Sequence, residues 1–134
     1  MDNKELVRLG FEKGCVEHDM DAAYELVSED YVLHDPTQPN FSGGREAHKE
    51  MCKSFSEAIR DSSCSIEDQI AEGDRVVTRW KFWGCQTKDL PGLPSKGGCF
   101  NVSGITISRV ENGKIAEEWV EMDTLGMRQQ LGSA

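Results

Sequence analysis

No apolar run in the 134-residue chain approaches the roughly 18 residues that a membrane-crossing helix needs, so no transmembrane helix is expected. Clustered basic residues are missing too. The 15 Lys and Arg are scattered among 24 Asp and Glu, for a net charge of −9. Nucleic-acid binding requires grouped cations that displace counterions from phosphates, so DNA and RNA are excluded as natural partners, as are anionic membrane surfaces. The acidity favours solubility instead. No C-x-x-C pair occurs among the five cysteines, Cys15, Cys52, Cys64, Cys85 and Cys99. Their odd number and their spacing argue against a disulfide framework and a structural zinc site, and the expectation is free, buried thiols. His48 and Cys52 stand at i, i+4, but no third or fourth ligand accompanies them, so no metal is expected. The opening Met1-Asp2-Asn3-Lys4-Glu5 lacks a basic start leading into an apolar core, which gives the expectation of no leader and a cytoplasmic location. No repeat, linker or low-complexity segment divides the chain, and residues 1–134 read as a single domain.

Helices come first and strands later, an order that predicts an α+β domain rather than alternating βαβ units. Val7, Phe11 and Cys15 recur at helical spacing over residues 2–17. Asp19 is placed to cap a second helix running to Val27. Ser28-Glu29-Asp30 then interrupts, and residues 31–34 read as a short strand ended by Asp35-Pro36. Ala47, Met51, Phe55 and Ala58 mark a third helix over 45–59. The second half is a meander: a strand over about 64–71, a turn at Gly73-Asp74, and a long strand over 75–85. A loop follows over 88–98, then strands over 100–110 and 115–123. Asn112-Gly113 joins the last two as a tight hairpin turn, because both residues tolerate φ > 0. Residues 125–131 read as a short helix or an extended arm. A curved sheet wrapped around helices leaves a mouth where a pocket forms.

Placed on these elements, several strings resemble the SnoaL-like polyketide cyclase family. Tyr31-Val32-Leu33-His34-Asp35 followed by Ser42-Gly43-Gly44-Arg45-Glu46 is similar to one family signature. Residues 112–123, ending Glu117-Glu118-Trp119-Val120-Glu121-Met122-Asp123, are similar to a second. Residues 124–132 are similar to the family's terminal segment. The resemblance covers about residues 5–132. It implies the nuclear transport factor 2-like fold, a cone-shaped α+β barrel, commonly as a homodimer. It also implies aldol-type ring closure of a polyketide ester without cofactor or metal. The fold hosts isomerases, dehydratases, hydrolases and non-enzymatic binders as well, so it does not fix the reaction.

Asp123 is the first candidate for chemistry. By a period of two it shares a face with Trp119 and Glu121 on the last strand. A carboxylate beside an indole in an apolar pocket has a raised pKa and suits proton transfer at carbon. The resemblance places the family's acid/base aspartate at or near this position. Asp123 also has a second reading as the cap of the terminal helix. Glu121 is the rival carboxylate, or a solvated strand residue. His34 is the expected catalytic partner, donating to a developing enolate oxygen, or else a structural histidine at a strand end. Asp35 holds the loop or orients His34. Gln86 falls where many relatives carry the histidine of Gly-Thr-His, the string here being Gly84-Cys85-Gln86. A glutamine cannot shuttle a proton. Trp80, Phe82, Phe100, Trp119 and Met51 are candidate walls of a pocket for a small apolar molecule, or plain core. Arg79 and Trp83 lie on the other face, in a possible subunit interface. Two functions follow: a cofactor-independent cyclase or isomerase acting on a small apolar carbonyl compound, or a non-catalytic module that binds a small molecule or a protein.

Overall fold

Asp2 begins the first helix by accepting the Glu5 amide at 2.8 Å, relieving one of the unpaired donors of a helix start. The structure, a computed structural model, describes residues 1–132. Helix α1 (Asn3–Phe11) runs on into a π-helical turn over Glu12–Val16. Asp19 caps α2 (Met20–Tyr24), as its position in the sequence suggests, by accepting the Ala22 amide at 3.0 Å. Strand β1 (Val27–His34) leads to α3 (Arg45–Glu57). The remainder is β2 (Ile59–Glu72), β3 (Arg75–Gln86), β4 (Cys99–Glu111), β5 (Lys114–Met122) and the short α4 (Thr124–Gln130). No helix among the described residues is long and apolar enough to cross a membrane.

The strands form one five-stranded sheet in the order β1-β5-β4-β3-β2, with β1 parallel to β5 and the other pairs antiparallel. The expected α+β architecture is therefore present. Two boundaries move. The second helix stops at Tyr24, and Ser28-Glu29-Asp30 belong to β1, whose first residue already pairs with Ile115. Strand β2 starts at Ile59, five residues before the expected Cys64. The polar stretch Arg60-Asp61-Ser62-Ser63, outside the expected strand, stays in the ladder through a bulge in which Asp61 takes φ 53°.

Alternation sorts the sheet into two faces. Val76, Thr78 and Trp80 of β3 and Phe100, Val102, Thr106 and Ser108 of β4 point inward and are buried. Trp80 lies flat over Gly104, where a Cβ would come within 2.3 Å of the ring, and its indole N–H donates to Thr106 Oγ1 at 2.9 Å. Two apolar clusters result. One joins α1 to the start of the sheet through Leu6, Val7, Val27, Tyr31, Val110 and Ile115. The other, around Ile59, Leu93, Phe100, Val102, Met127 and Leu131, joins α4 and the 87–98 loop to the far end. The interior between the clusters is not filled.

The cysteines depart from expectation in one pair. Cys85 and Cys99 are disulfide-bonded, while Cys15, Cys52 and Cys64 are free. Cys85 and Cys99 sit directly opposite on β3 and β4, in a pair without mutual backbone hydrogen bonds, with Cα atoms 3.9 Å apart. Such pairs bring side chains closest together. An odd count excludes complete pairing of the thiols, not one bond between two of them.

Candidate active site

Between the two clusters lies a cavity of about 420 Å³, walled by α1, α2 and α3 on one side and the inner face of the sheet on the other. Its surface is mainly apolar, with Val7, Phe11, Leu33, Phe55, Phe82 and Val120 among the contributors. Its carboxyl groups belong to Asp35, at the turn out of β1, and to Glu118, on β5. Tyr31 Oη donates to one Glu118 oxygen at 2.8 Å, and Ser108 Oγ donates to the other at 2.6 Å. Both hydrogen bonds favour the charged form. Burial outweighs them and pushes the Glu118 pKa above the usual carboxylate range. What Glu118 leaves uncovered faces the cavity rather than bulk water.

Tyr24, His48 and Cys52 form a second polar group on the cavity surface. Tyr24 Oη lies 2.7 Å from His48 Nδ1 and 3.1 Å from Cys52 Sγ. Burial lowers the His48 pKa to about 4, so its imidazole is neutral at pH 7. Near the mouth, Asp35 accepts from the Thr37 amide and hydroxyl at 2.9 and 2.7 Å, which fixes the turn out of β1.

The candidates drawn from sequence scatter. Met51 and Phe82 line the cavity. Trp80 and Phe100 are buried in the core and do not line it. Asp123 is exposed and caps α4, accepting the Gly126 amide at 2.8 Å, so the capping reading describes its place. Glu121 is exposed. His34 and Trp119 stack on the outer face with ring centres 5.1 Å apart, and His34 Nε2 donates to Glu117 at 2.6 Å. Gln86 is fully buried away from the cavity. Its amide nitrogen holds the following loop through the Lys88 and Leu93 carbonyls at 3.0 and 2.7 Å, and its oxygen has no partner among the described residues.

One bulge accounts for the misplaced carboxylates. Up to Val110↔Ile115 the β4–β5 pairing runs in one register, and from Arg109↔Glu117 in the next, leaving Ala116 as an extra residue on β5. Ile115 and Ala116 are consecutive and both buried. Strict alternation from Ile115 sends Trp119, Glu121 and Asp123 inward. With Ala116 inserted, Glu118, Val120 and Met122 face the cavity instead. The apolar pair Ile115-Ala116 ahead of two glutamates was the available signal.

The family's sequence profile, described as SnoaL-like polyketide cyclase, matches residues 5–131. The chain belongs to the SnoaL-like polyketide cyclase family. Its fold is accordingly nuclear transport factor 2-like. TsrD from Streptomyces laurentii is 29% identical, superposes with a TM-score of 0.87, and is matched over 100% of this chain and 99% of that one. A candidate polyketide cyclase from Acidithiobacillus ferrooxidans is also 29% identical, with a TM-score of 0.83 and full coverage of both chains, 100% and 100%. AclR from Streptomyces galilaeus, a candidate hydroxylase, has a TM-score of 0.84 at 18% identity over 98% of this chain and 96% of that one. At that identity AclR shares the fold alone. No curated protein matches the sequence. This SnoaL-like chain thus has the family's architecture, with Gln86 committed to a loop and a partly buried glutamate on its cavity wall.

Proposed function

We propose that the protein is a cofactor-independent enzyme of the aldol-type cyclase or isomerase class, acting on a small, mostly apolar carbonyl compound in the central cavity. Glu118 is the acid/base group. The observation that carries this reading is a single one: a desolvated carboxyl on the wall of a largely apolar cavity, held by Tyr31 and Ser108. A raised pKa makes the carboxylate a stronger base, and its protonated form a usable acid near neutral pH. Glu118 removes a proton from the carbon beside a carbonyl and returns it to the product. The two hydroxyl donors keep the carboxyl in one orientation. Asp123 and His34, the groups favoured by sequence, take no step here because neither lines the cavity.

Exchange of a ketone's α-protons with deuterated solvent tests this directly. Glu118→Gln should slow protein-catalysed exchange by about 10²–10⁴-fold, the usual range for general acid–base catalysis, with little change in melting temperature. Equal exchange in wild type and variant would favour the binding-only alternative.

The second element of the proposal is a homodimer formed through the outer face of the sheet. Ile105 is half exposed there, with Arg79 and Trp83 on the same face. Sedimentation at micromolar concentration should give about twice the 15.0 kDa chain mass, and a mass equal to one chain would refute the dimer.

A further inference from the structure

Tyr24, His48 and Cys52 take no part in holding Glu118, and they bond to one another in a closed ring. Residues 48 and 52 stand one turn apart on one face of α3, and Tyr24 reaches them from α2. Besides its contacts with Tyr24, His48 has its Nε2 3.7 Å from Cys52 Sγ. A neutral imidazole carries one N–H and one bare nitrogen, so donors can run around the ring in either direction. In the first, Cys52 S–H donates to Nε2, Nδ1–H donates to Tyr24 Oη, and Tyr24 O–H donates to Cys52 Sγ. In the second every donor is reversed. The first arrangement leaves the strong donor of the three, the phenol, bonded to sulfur, which is a weak acceptor. A carbonyl oxygen brought into the cavity is a better acceptor. Rotation of one O–H bond then delivers the phenol proton to it, while His48 continues to donate to the phenol oxygen.

We propose that Tyr24 is the oxygen-binding group of this cavity, its hydroxyl donating to the carbonyl oxygen of a neutral ketone or ester. His48 and Cys52 are positioning residues that hold that hydroxyl in its donating orientation. The proposal rests on the reading of the cavity as a carbonyl site. Three observations favour it. The other phenol, Tyr31, is already bonded to Glu118 at 2.8 Å. Among the described residues no Lys or Arg lines the cavity, so a substrate carboxylate finds no permanent cation there and a neutral carbonyl finds a neutral donor. Burial raises the Tyr24 pKa, which keeps the phenol protonated. When Glu118 takes the α-proton, charge moves onto the carbonyl oxygen, and the Tyr24 hydrogen bond strengthens as it does so.

The probe is 2-acetylnaphthalene labelled with ¹³C at its carbonyl. It is a neutral apolar ketone whose infrared band reports hydrogen bonding to oxygen. Binding to wild type should move the band to lower frequency than in an apolar solvent. Tyr24→Phe should return the band to the apolar-solvent position and weaken binding about tenfold, the worth of one hydrogen bond. Cys52→Ala should recover part of the unshifted band, and Cys52→Ser should restore the wild-type band, because a hydroxyl also donates to Nε2. Mere packing roles for these residues would leave the band in place. An undiminished shift in Tyr24→Phe overturns the proposal, as does a wild type that binds the ketone without a shift or not at all. If Tyr24→Phe does not fold, identical bands in Cys52→Ala and Cys52→Ser overturn it equally. Glu118→Gln should keep the shift. If that variant keeps the shift and also exchanges the methyl protons as fast as wild type, the role given to Glu118 falls and that of Tyr24 stands.

Discussion

On β5, Glu117 faces outward, where His34 and Arg109 donate to it at 2.6 and 3.0 Å, whereas Glu118 faces a cavity lined mainly by carbon. The two residues are chemically identical and adjacent. The His34 and Arg109 hydrogen bonds hold the Glu117 carboxyl below the usual range, and burial pushes Glu118 above it. Glu117 is bound as an anion at the surface. Glu118 is held where burial disfavours its charged form. The difference comes from which face of one strand a residue occupies, and that is decided by one extra residue upstream.

The most forceful way to break the comparison is to challenge the bulge. Plain alternation from Ile115 sends Ala116 outward, but it is only 6% exposed. Ala116→Asp should therefore cost about 3–5 kcal/mol in urea unfolding, the scale for an unpaired buried charge. Glu121→Ala, two positions beyond Trp119 on the exposed side, should stay within about 0.5 kcal/mol.

Acidity sharpens the same contrast. Glu118 has a folded pKa above its ordinary 4.5, so the folded protein keeps a proton that the unfolded chain releases as pH rises past that value. Its contribution to stability is most favourable below pH 4.5 and declines as pH rises toward the folded pKa. Glu117 has the opposite sign. Its contribution is present above the ordinary 4.5 and is lost as pH falls through the lowered folded value. Urea unfolding from about pH 3.5 to about pH 8 should show Glu118→Gln gaining on wild type as pH rises, and Glu117→Gln losing ground over the same interval. Parallel curves for the two variants would remove the distinction between the faces.

A smaller effect is expected just past the end of the strand. Asp123→Ala removes the α4 cap and should cost about 1 kcal/mol in thermal unfolding, with α-proton exchange retained. Loss of exchange at undiminished stability would return the acid/base role to Asp123 and erase the importance given to Glu118.

These contrasts mark what the amino-acid order makes legible. The helices, the long strands and the Asn112-Gly113 turn follow from period, capping and φ > 0 preference, which are local properties. The turn residues take φ 52° and 74° as expected. The site depends on what is not local. Ala116 looks like any strand residue, and only its pairing with β4 makes it surplus. Tyr24, His48 and Cys52 come from two helices whose relative placement no periodicity encodes. His48 and Cys52 are visible at i, i+4, but the partner that gives them a role is a tyrosine 24 residues away from His48. His34 and Trp119 attract attention by residue type and end up on the outer face, because β1 pairs with β5 in a register that sets His34 opposite Trp119.

The disulfide between Cys85 and Cys99 also changes the connectivity of the molecule. The loop it closes carries Lys88 and Lys96, both exposed. A backbone cut after either lysine leaves the two fragments covalently joined, so the chain keeps its full mass until a reductant separates them. With Gln86 gripping the loop from inside and the disulfide tying its base, a nicked molecule retains β3 beside β4 and, with them, part of the cavity wall.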